Sequence, residues 1–234
     1  MVGEVATRRG ETPRDAQRPT WSLLTNHPIV LIFITQQPES TVRSIAAGVG
    51  LTERATLAIV RDLDHERLVE RHRAGRRTTY VVRYERLVGM AGRGAGMNAV
   101  AEAVARALIA ISPLGRAASH KQRAPSAADR GPRVGTWGFF TNHMAMLMAI
   151  ARTPTLTVRE LAVATAITER AAVSILNQLE AEKIIVRHRE GRRNRYTMDL
   201  DAFRGFRGWS YETWAMPAQL IDVAARGIRA VGRR

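Results

Sequence analysis

Two arginine-rich segments carry the most distinctive chemistry in this sequence. The first reads RHRAGRRTTY at 71–80, and the second reads RHREGRRNRY at 187–196. A guanidinium group is planar, permanently charged, and presents five N–H donors that fit pairs of phosphate or carboxylate oxygens. Arginines clustered around a single glycine therefore indicate an exposed surface that binds an anionic partner.

The charge of the whole chain favours the same class of partner. Its 234 residues have a formal net charge of +15, which suits nucleic acid or an acidic membrane surface. The absence of cysteine excludes disulfides, thiol redox sensing and thiolate metal sites. The N-terminal 20 residues are polar, and the apolar run Pro28–Ile34 is too short to span a bilayer. We expect a cytoplasmic, nucleoid-associated protein with no membrane partner, cofactor or metal.

The arginine-rich segments belong to a longer internal repeat. An offset of 116 residues aligns 21–89 with 137–205 without a gap, and 26 of those 69 positions are identical. Two copies of this size predict two folding units rather than a solenoid. The other ranges are predicted as a flexible arm (1–20), an association helix (90–112), a flexible basic linker (113–136) and a C-terminal association helix (206–234).

Each copy begins with a helix signal that is apolar on every side. In the first copy the apolar residues run from Ile29 to Ile34, and in the second from Met144 to Ile150. A helix without a polar face is usually buried all round. Pro38, with Pro154 at the equivalent position, is expected to end this helix.

Two shorter helix signals and a hairpin signal follow in each copy. Thr41 is predicted to cap a second helix over 42–47, with a turn at 48–50, and Thr52 a third helix to about Arg67. Two stretches rich in β-formers, 68–73 and 78–83, then flank the segment Ala74-Gly75-Arg76-Arg77 and predict a β-hairpin. Helix, helix, turn, helix and basic hairpin is the order of a winged helix-turn-helix.

The motifs behind this order point to a family. The shared pattern T-N-H…P…T-V-R-x-[IL]-A…[LI]-T-E-R-A…L…R-H-R-x-G-R-R-x-x-Y resembles the winged-helix domains of the MarR and ArsR superfamily of bacterial transcription regulators. The resemblance implies a mainly α fold with small β-hairpin wings (α+β) that binds double-stranded DNA. Members are usually single-domain homodimers, so two tandem copies are expected to form a monomeric pseudo-dimer, with a homodimer of the chain as the alternative.

The third helix of each copy is predicted to read the DNA sequence. On a helical wheel Thr56 and Ile59 fall on the core side, whereas Arg54, Ala58 and Arg61 fall on the opposite side. In the major groove arginine can bind guanine through two hydrogen bonds, asparagine can bind adenine, and glutamate can accept from cytosine.

The start of the second helix and the hairpin are predicted to hold the DNA backbone. The residues expected to contact DNA in the first copy are Thr41, Arg43, Glu53, Arg54, Ala58, Arg61, Arg73, Arg76 and Arg77. Those in the second copy are Thr157, Arg159, Glu169, Arg170, Ser174, Asn177, Arg189, Arg192, Arg193 and Arg195.

The sequence favours a sequence-specific transcription regulator that represses by occlusion. The alternative is a tandem winged-helix chromosome-segregation or replication-initiator protein that acts through protein partners as well as DNA. An enzyme is not expected, because no nucleophile–base set, paired carboxylates, phosphate loop or metal spacing stands out. Trp209, Tyr211 and Trp214 are expected to pack at a helix interface rather than line an effector pocket. Operator, regulated genes and effector are left open.

Overall fold

The structure is a computed structural model that describes residues 19, 21–75, 77–83, 103–104, 106–108, 140–191, 193–209, 211 and 213–233. Within these ranges the chain is mainly helical, with two antiparallel two-stranded hairpins. The predicted α+β winged-helix fold is therefore confirmed. The linker predicted at 113–136 lies outside the described residues, as do all but residue 19 of the arm (1–20) and most of the association helix (90–112).

The predicted order of elements occurs in both copies. The first copy contains α1 (Asn26–Gln36), α2 (Val42–Val49), α3 (Glu53–His65), β1 (Val69–Ala74) and β2 (Arg77–Val82). The second contains α4 (Asn142–Arg152), α5 (Val158–Thr165), α6 (Glu169–Ala181), β3 (Ile185–Glu190) and β4 (Arg193–Met198). The chain continues with α7 (Leu200–Arg204), a 3-10 helix (Arg207–Trp209) and α8 (Ala218–Val231).

The first helix of each copy forms the centre of the core. Every residue from Pro28 to Thr35 in α1 is buried, which confirms the prediction from its unbroken apolar run. The one polar side chain among them, Thr35, donates its hydroxyl hydrogen to the Leu31 carbonyl oxygen at 2.9 Å, so its burial leaves no donor unpaired. In the second copy α4 buries four of the five residues from Met144 to Met148.

Helix α2 is longer than predicted, because Gly48 lies inside it rather than in the turn. A Cβ atom at Gly48 would stand only 2.2 Å from a ring carbon of Phe33, so glycine makes room for that ring. The turn itself is made by Gly50, whose φ of 71° lies in the left-handed region. In the second copy Ala149 stands in place of Phe33 and Ala164 in place of Gly48. The Cβ atom that Gly48 lacks is thus present only where the first helix carries a smaller side chain.

Helices α3 and α6 end two residues earlier than predicted. Arg67 has a φ of 55° and Lys183 a φ of 58°, and a residue in the left-handed region cannot continue an α-helix. The amide of Leu68 then bonds to the Leu63 carbonyl oxygen at 2.9 Å, which closes a Schellman-type end. This end turns the chain directly into the first strand of the hairpin.

The hairpin turns are tighter than the predicted four-residue tip. Ala74 pairs with Arg77 across the first hairpin and Glu190 with Arg193 across the second, so two residues make each turn. Gly75 and Gly191 have φ angles of 60° and 62°, the left-handed geometry that two-residue hairpins require. Each second strand is also fixed to its first helix, since the Tyr80 amide bonds to the carbonyl oxygen of the proline that follows α1 at 2.8 Å.

The two copies contact each other through the segments that precede their first helices. Leu24 forms a β-bridge with Phe140, and the Thr141 amide and hydroxyl donate to the carbonyl oxygens of Leu23 and Ser22 at 3.1 and 2.7 Å. Leu24 and Phe140 are equivalent positions at the 116-residue offset. Antiparallel pairing of equivalent positions is what a local two-fold axis produces.

The C-terminal region adds a second contact between the copies. Trp214 donates its indole N–H to the Gln36 side-chain oxygen at 2.6 Å and packs edge-on against Phe33, with ring centroids 5.6 Å apart. Helix α8 packs against α4 and α7, and buries Leu220 and Ile228. The apolar cavity between these elements and α1 measures about 10 Å³, the space of a single water molecule. Trp209 is buried, and the rings of Tyr211 and Trp214 stack with centroids 5.3 Å apart, so these aromatic residues pack as predicted.

Candidate nucleic-acid interface

Helices α3 and α6 are fixed at their first turn by side-chain caps. The Thr52 hydroxyl accepts the Ala55 amide at 3.2 Å, and the Thr168 hydroxyl accepts the Ala171 amide at the same distance. These bonds satisfy amides that have no partner within the helix, so both helices begin at a defined residue, a glutamate in each. Each glutamate also suits the positive end of the helix dipole.

The outward face of α3 agrees with the face predicted from the sequence. Thr56, Ile59, Val60 and Leu63 are buried against the core. The predicted contact residues on the other side are exposed: Glu53, Arg54, Ala58 and Arg61. Helix α6 follows the same pattern, with exposed Glu169, Arg170, Val173, Ser174 and Asn177.

A histidine at the start of each first helix holds the third helix in place. In the first copy His27 Nε2 lies 3.2 Å from Asp62 Oδ2, and in the second His143 Nε2 lies 2.8 Å from Gln178 Oε1. The four residues occupy equivalent positions at the 116-residue offset. Burial lowers the pKa of His143, against the opposing effect of the Gln178 hydrogen bond. These histidines therefore connect each first helix to the candidate reading helix of its copy.

The starts of α2 and α5 both carry a threonine and an arginine, but they differ in charge because Ser44 of α2 corresponds to Glu160 of α5. Thr41 accepts the Ser44 amide at 3.1 Å. Thr157 forms a full capping box with Glu160, donating its hydroxyl hydrogen at 2.8 Å and accepting the Glu160 amide at 3.3 Å. Bonds from the Thr157 amide and hydroxyl lower the pKa of Glu160, which therefore stays ionised.

These caps decide which atoms are available to an anion. Because the hydroxyl of Thr157 already donates to a carboxylate, its predicted phosphate contact requires that bond to be exchanged. The arginines of the same turns are better placed, since Arg43 and Arg159 are exposed. Arg43 Nε is 3.9 Å from Glu53 Oε1. This long ion pair joins two solvent-exposed side chains and contributes little to the stability of the fold.

The hairpin arginines are placed unequally. Arg73, Arg189 and Arg193 are exposed on the strands, and Arg189 Nε donates to the Gly191 carbonyl oxygen of its own turn at 3.5 Å. Arg195 Nε lies 2.7 Å from Glu190 Oε1, so part of its charge is neutralised within the hairpin. Three predicted contact groups lie outside the described residues: Arg76, Arg192 and the side chain of Arg77.

Sequence reasoning missed the arginine that joins each hairpin to its reading helix. Arg71 on β1 bonds to Asp64 on α3, with Nη2–Oδ2 at 3.0 Å and Nε–Oδ2 at 3.1 Å. Arg187 on β3 lies 3.3 Å from Glu180 on α6. The available signal was an arginine and an acidic residue retained at the same positions of both copies. Hairpin and helix are therefore fixed relative to each other, with the acidic residue turned towards the strand.

Comparison with known proteins identifies the second copy. Residues 138–195 match the sequence model of the MarR family. This match supports a MarR-family winged helix-turn-helix in the second copy. The MarR family is one of DNA-binding transcription regulators, which supports DNA as a partner of this protein. No curated protein and no solved structure matches the chain.

The described residues contain neither a helix suited to a membrane nor a metal-binding cluster. Across the described ranges, no helix combines the length and the apolar content that crossing a bilayer requires. In the same part of the chain, no cluster of three or more histidine, aspartate or glutamate side chains has a geometry that could hold a metal ion.

Proposed function

We propose that this protein is a sequence-specific DNA-binding transcription regulator that represses by occluding its site, and that one chain supplies both reading helices. The observation that carries the proposal is the MarR-family match over a domain whose helix α6 presents Arg170, Ser174 and Asn177 to solvent beside an arginine-rich hairpin. A recognition helix works in this way, with its N-terminal residues against base edges in the major groove.

The first copy supports a second reading helix in the same chain. Helix α3 has the same cap, the same exposed Glu-Arg pair and the same tie to its hairpin as α6. The β-bridge between the equivalent positions Leu24 and Phe140 favours a two-fold relation between the copies. Operators of dimeric regulators contain two half-sites related by such an axis, about one helical turn apart. The proposal therefore gives a monomer the binding geometry of a dimer.

The two half-sites should be related but not identical. Helices α3 and α6 share their Glu-Arg pair, but Ala58 in α3 corresponds to Ser174 in α6, and Arg61 to Asn177. An arginine favours guanine and an asparagine favours adenine, and each good pair discriminates by about 1–3 kcal/mol. We therefore propose an imperfect palindrome as the binding site.

The test is selection of bound duplexes from a pool of genomic fragments, with the full chain as the bait. The expected product is a two-part motif with different bases in its halves, bound by a monomer as judged by light scattering. Replacing Arg54 and Arg170 by alanine should weaken binding to the selected site by about 1–3 kcal/mol each. The matched control replaces Arg226 and Arg229, exposed arginines of α8 that lie outside the proposed interface.

Each alternative gives a different result. If the control pair weakens binding as much as the α3 and α6 pair does, binding depends on overall charge and the proposed interface is wrong. A dimer of the chain bound to four half-sites would refute the pseudo-dimer while leaving DNA binding intact. If no duplex is enriched, the regulator proposal fails in favour of action through protein partners.

A further inference from the structure

Asn177 on α6 accepts a hydrogen bond from the β3–β4 hairpin, whereas the equivalent residue of α3, Arg61, is an arginine. Arg187 Nη2 donates to the Asn177 side-chain oxygen at 3.3 Å. The equivalent pair in the first copy is Arg71 and Arg61, and a guanidinium has no acceptor to offer another guanidinium. The bond therefore belongs to the second copy alone.

The guanidinium of Arg187 is held from several sides. It lies 3.3 Å from Glu180 Oε2, three residues after Asn177 on α6, and its central carbon is 5.9 Å from the centroid of the Tyr196 ring. The Arg187 side chain is 28% exposed, against 43% for Arg71. Its Nε is buried with no hydrogen-bond partner among the described residues, so the strand, the ring and the carboxylate hold this group rather than solvent. A donor fixed in this way can orient what it bonds.

We propose that Arg187 is a positioning residue that sets the orientation of the Asn177 amide and so determines which base the second half-site prefers. The proposal rests on the proposed function and deepens it. With one lone pair of Oδ1 taken by Arg187, the amide cannot rotate by 180° without breaking that bond. The NH₂ group then faces away from the strand, and one lone pair of Oδ1 remains.

This orientation has a direct consequence for base preference. Adenine offers N7 as an acceptor and N6–H as a donor, which the amide NH₂ and the free lone pair of Oδ1 match together. An amide free to rotate could instead present its oxygen alone to the N4–H donor of cytosine, or its NH₂ alone to the acceptors of guanine. Removing Arg187 should therefore relax the preference rather than abolish binding.

The DNA experiment is a double-mutant cycle of Arg187→Ala and Asn177→Ala on the full chain, measured against duplexes that vary only at the base that Asn177 faces. Arg187→Ala should reduce the preference for adenine about five-fold or more, and should have no further effect once Asn177 is alanine. Glu180→Gln removes the carboxylate that helps to hold Arg187 but keeps both Arg187 and Asn177, so it should reduce the preference for adenine less than Arg187→Ala does.

The first copy supplies a second control. Arg71→Ala removes the equivalent tie between hairpin and helix where there is no amide to orient, so it should lower affinity for all sequences and leave the base preference of the first half-site unchanged. If Arg71→Ala relaxes base preference as much as Arg187→Ala does, the effect comes from loosening the helix, and the positioning role is overturned.

A measurement without DNA separates this proposal from the proposed function. The side-chain NH₂ group of Asn177 should show restricted motion in the wild type and larger motion in Arg187→Ala, as measured by its ¹⁵N relaxation. A mobile NH₂ group in the wild type would overturn the positioning role whatever the chain binds. A restricted NH₂ group in the wild type together with unchanged base preference in Arg187→Ala would overturn only the role in specificity. A chain that enriches no duplex would refute the proposed function and the base-reading role together.

Discussion

Replacing Trp21 by alanine should destabilise the whole protein, because this side chain lies between the two copies. Its ring stacks on His143 with centroids 4.2 Å apart and planes at 6°, and on Phe206 with centroids 4.4 Å apart and planes at 25°. An aromatic pair contributes about 0.5–1.5 kcal/mol beyond its buried area, and truncation of a packed aromatic costs about 3–5 kcal/mol. Trp21 is only partly buried, so we expect about 3 kcal/mol.

Equilibrium unfolding in urea measures this loss. With a denaturant slope of about 3 kcal/mol per molar, the midpoint should fall by about 1 M. Circular dichroism and tryptophan fluorescence should give coincident curves, because the buried residues of the two copies belong to one continuous apolar core. The variant Trp21→Phe keeps an aromatic face against His143 and should recover most of the stability.

The outcome that would refute this reasoning is a curve with two transitions of which only one shifts in Trp21→Ala. The copies would then unfold independently, and the segment before α1 would stabilise only its own half. A midpoint shift below about 0.3 M would likewise show that the two ring contacts do not hold the halves together.

Three further predictions concern stability and affinity. Burial lowers the pKa of His143 below its ordinary 6.5, so the unfolded chain takes up the proton first as the pH falls. The free energy of unfolding should therefore decrease as the pH decreases through 6.5, and His143→Phe should flatten that dependence. A rise in stability on acidification would contradict this prediction. Thr157→Ala should cost about 1–2 kcal/mol in thermal unfolding through loss of the capping box, whereas an equal loss in Thr157→Ser would mean that the cap is not the cause. Arg73→Ala and Arg189→Ala should each reduce the slope of log affinity against log salt by about 0.9, and an unchanged slope would remove that hairpin from the phosphate contacts.

The sequence predicted features that depend on residue type and periodicity. The buried first helix, the caps at Thr41 and Thr52, and the outward face of α3 all follow from local patterns, and the structure confirms them. Their physical basis lies within a few residues of chain, so a single sequence contains the information.

Features that depend on distant contacts were not predictable in the same way. Gly48 resembled a turn residue, but its function is to admit the Phe33 ring, which is 15 positions away in sequence. The bond from Arg187 to Asn177 requires the distance between a strand and a helix, which the spacing of ten residues does not give. The end of α3 at His65 depends on a left-handed arginine, a conformation that composition does not favour.

The bridge between Leu24 and Phe140 has a consequence for how the two halves can change. In an assembly of identical chains, a residue at the two-fold axis faces its own copy, so any substitution there alters both sides at once and must be compatible with itself. Here a leucine faces a phenylalanine, a pairing of unequal size that identical chains cannot make at a two-fold axis. Each side can therefore be altered alone, and the axis position becomes a place where a designer could lock the halves together or allow them to separate without touching either reading helix.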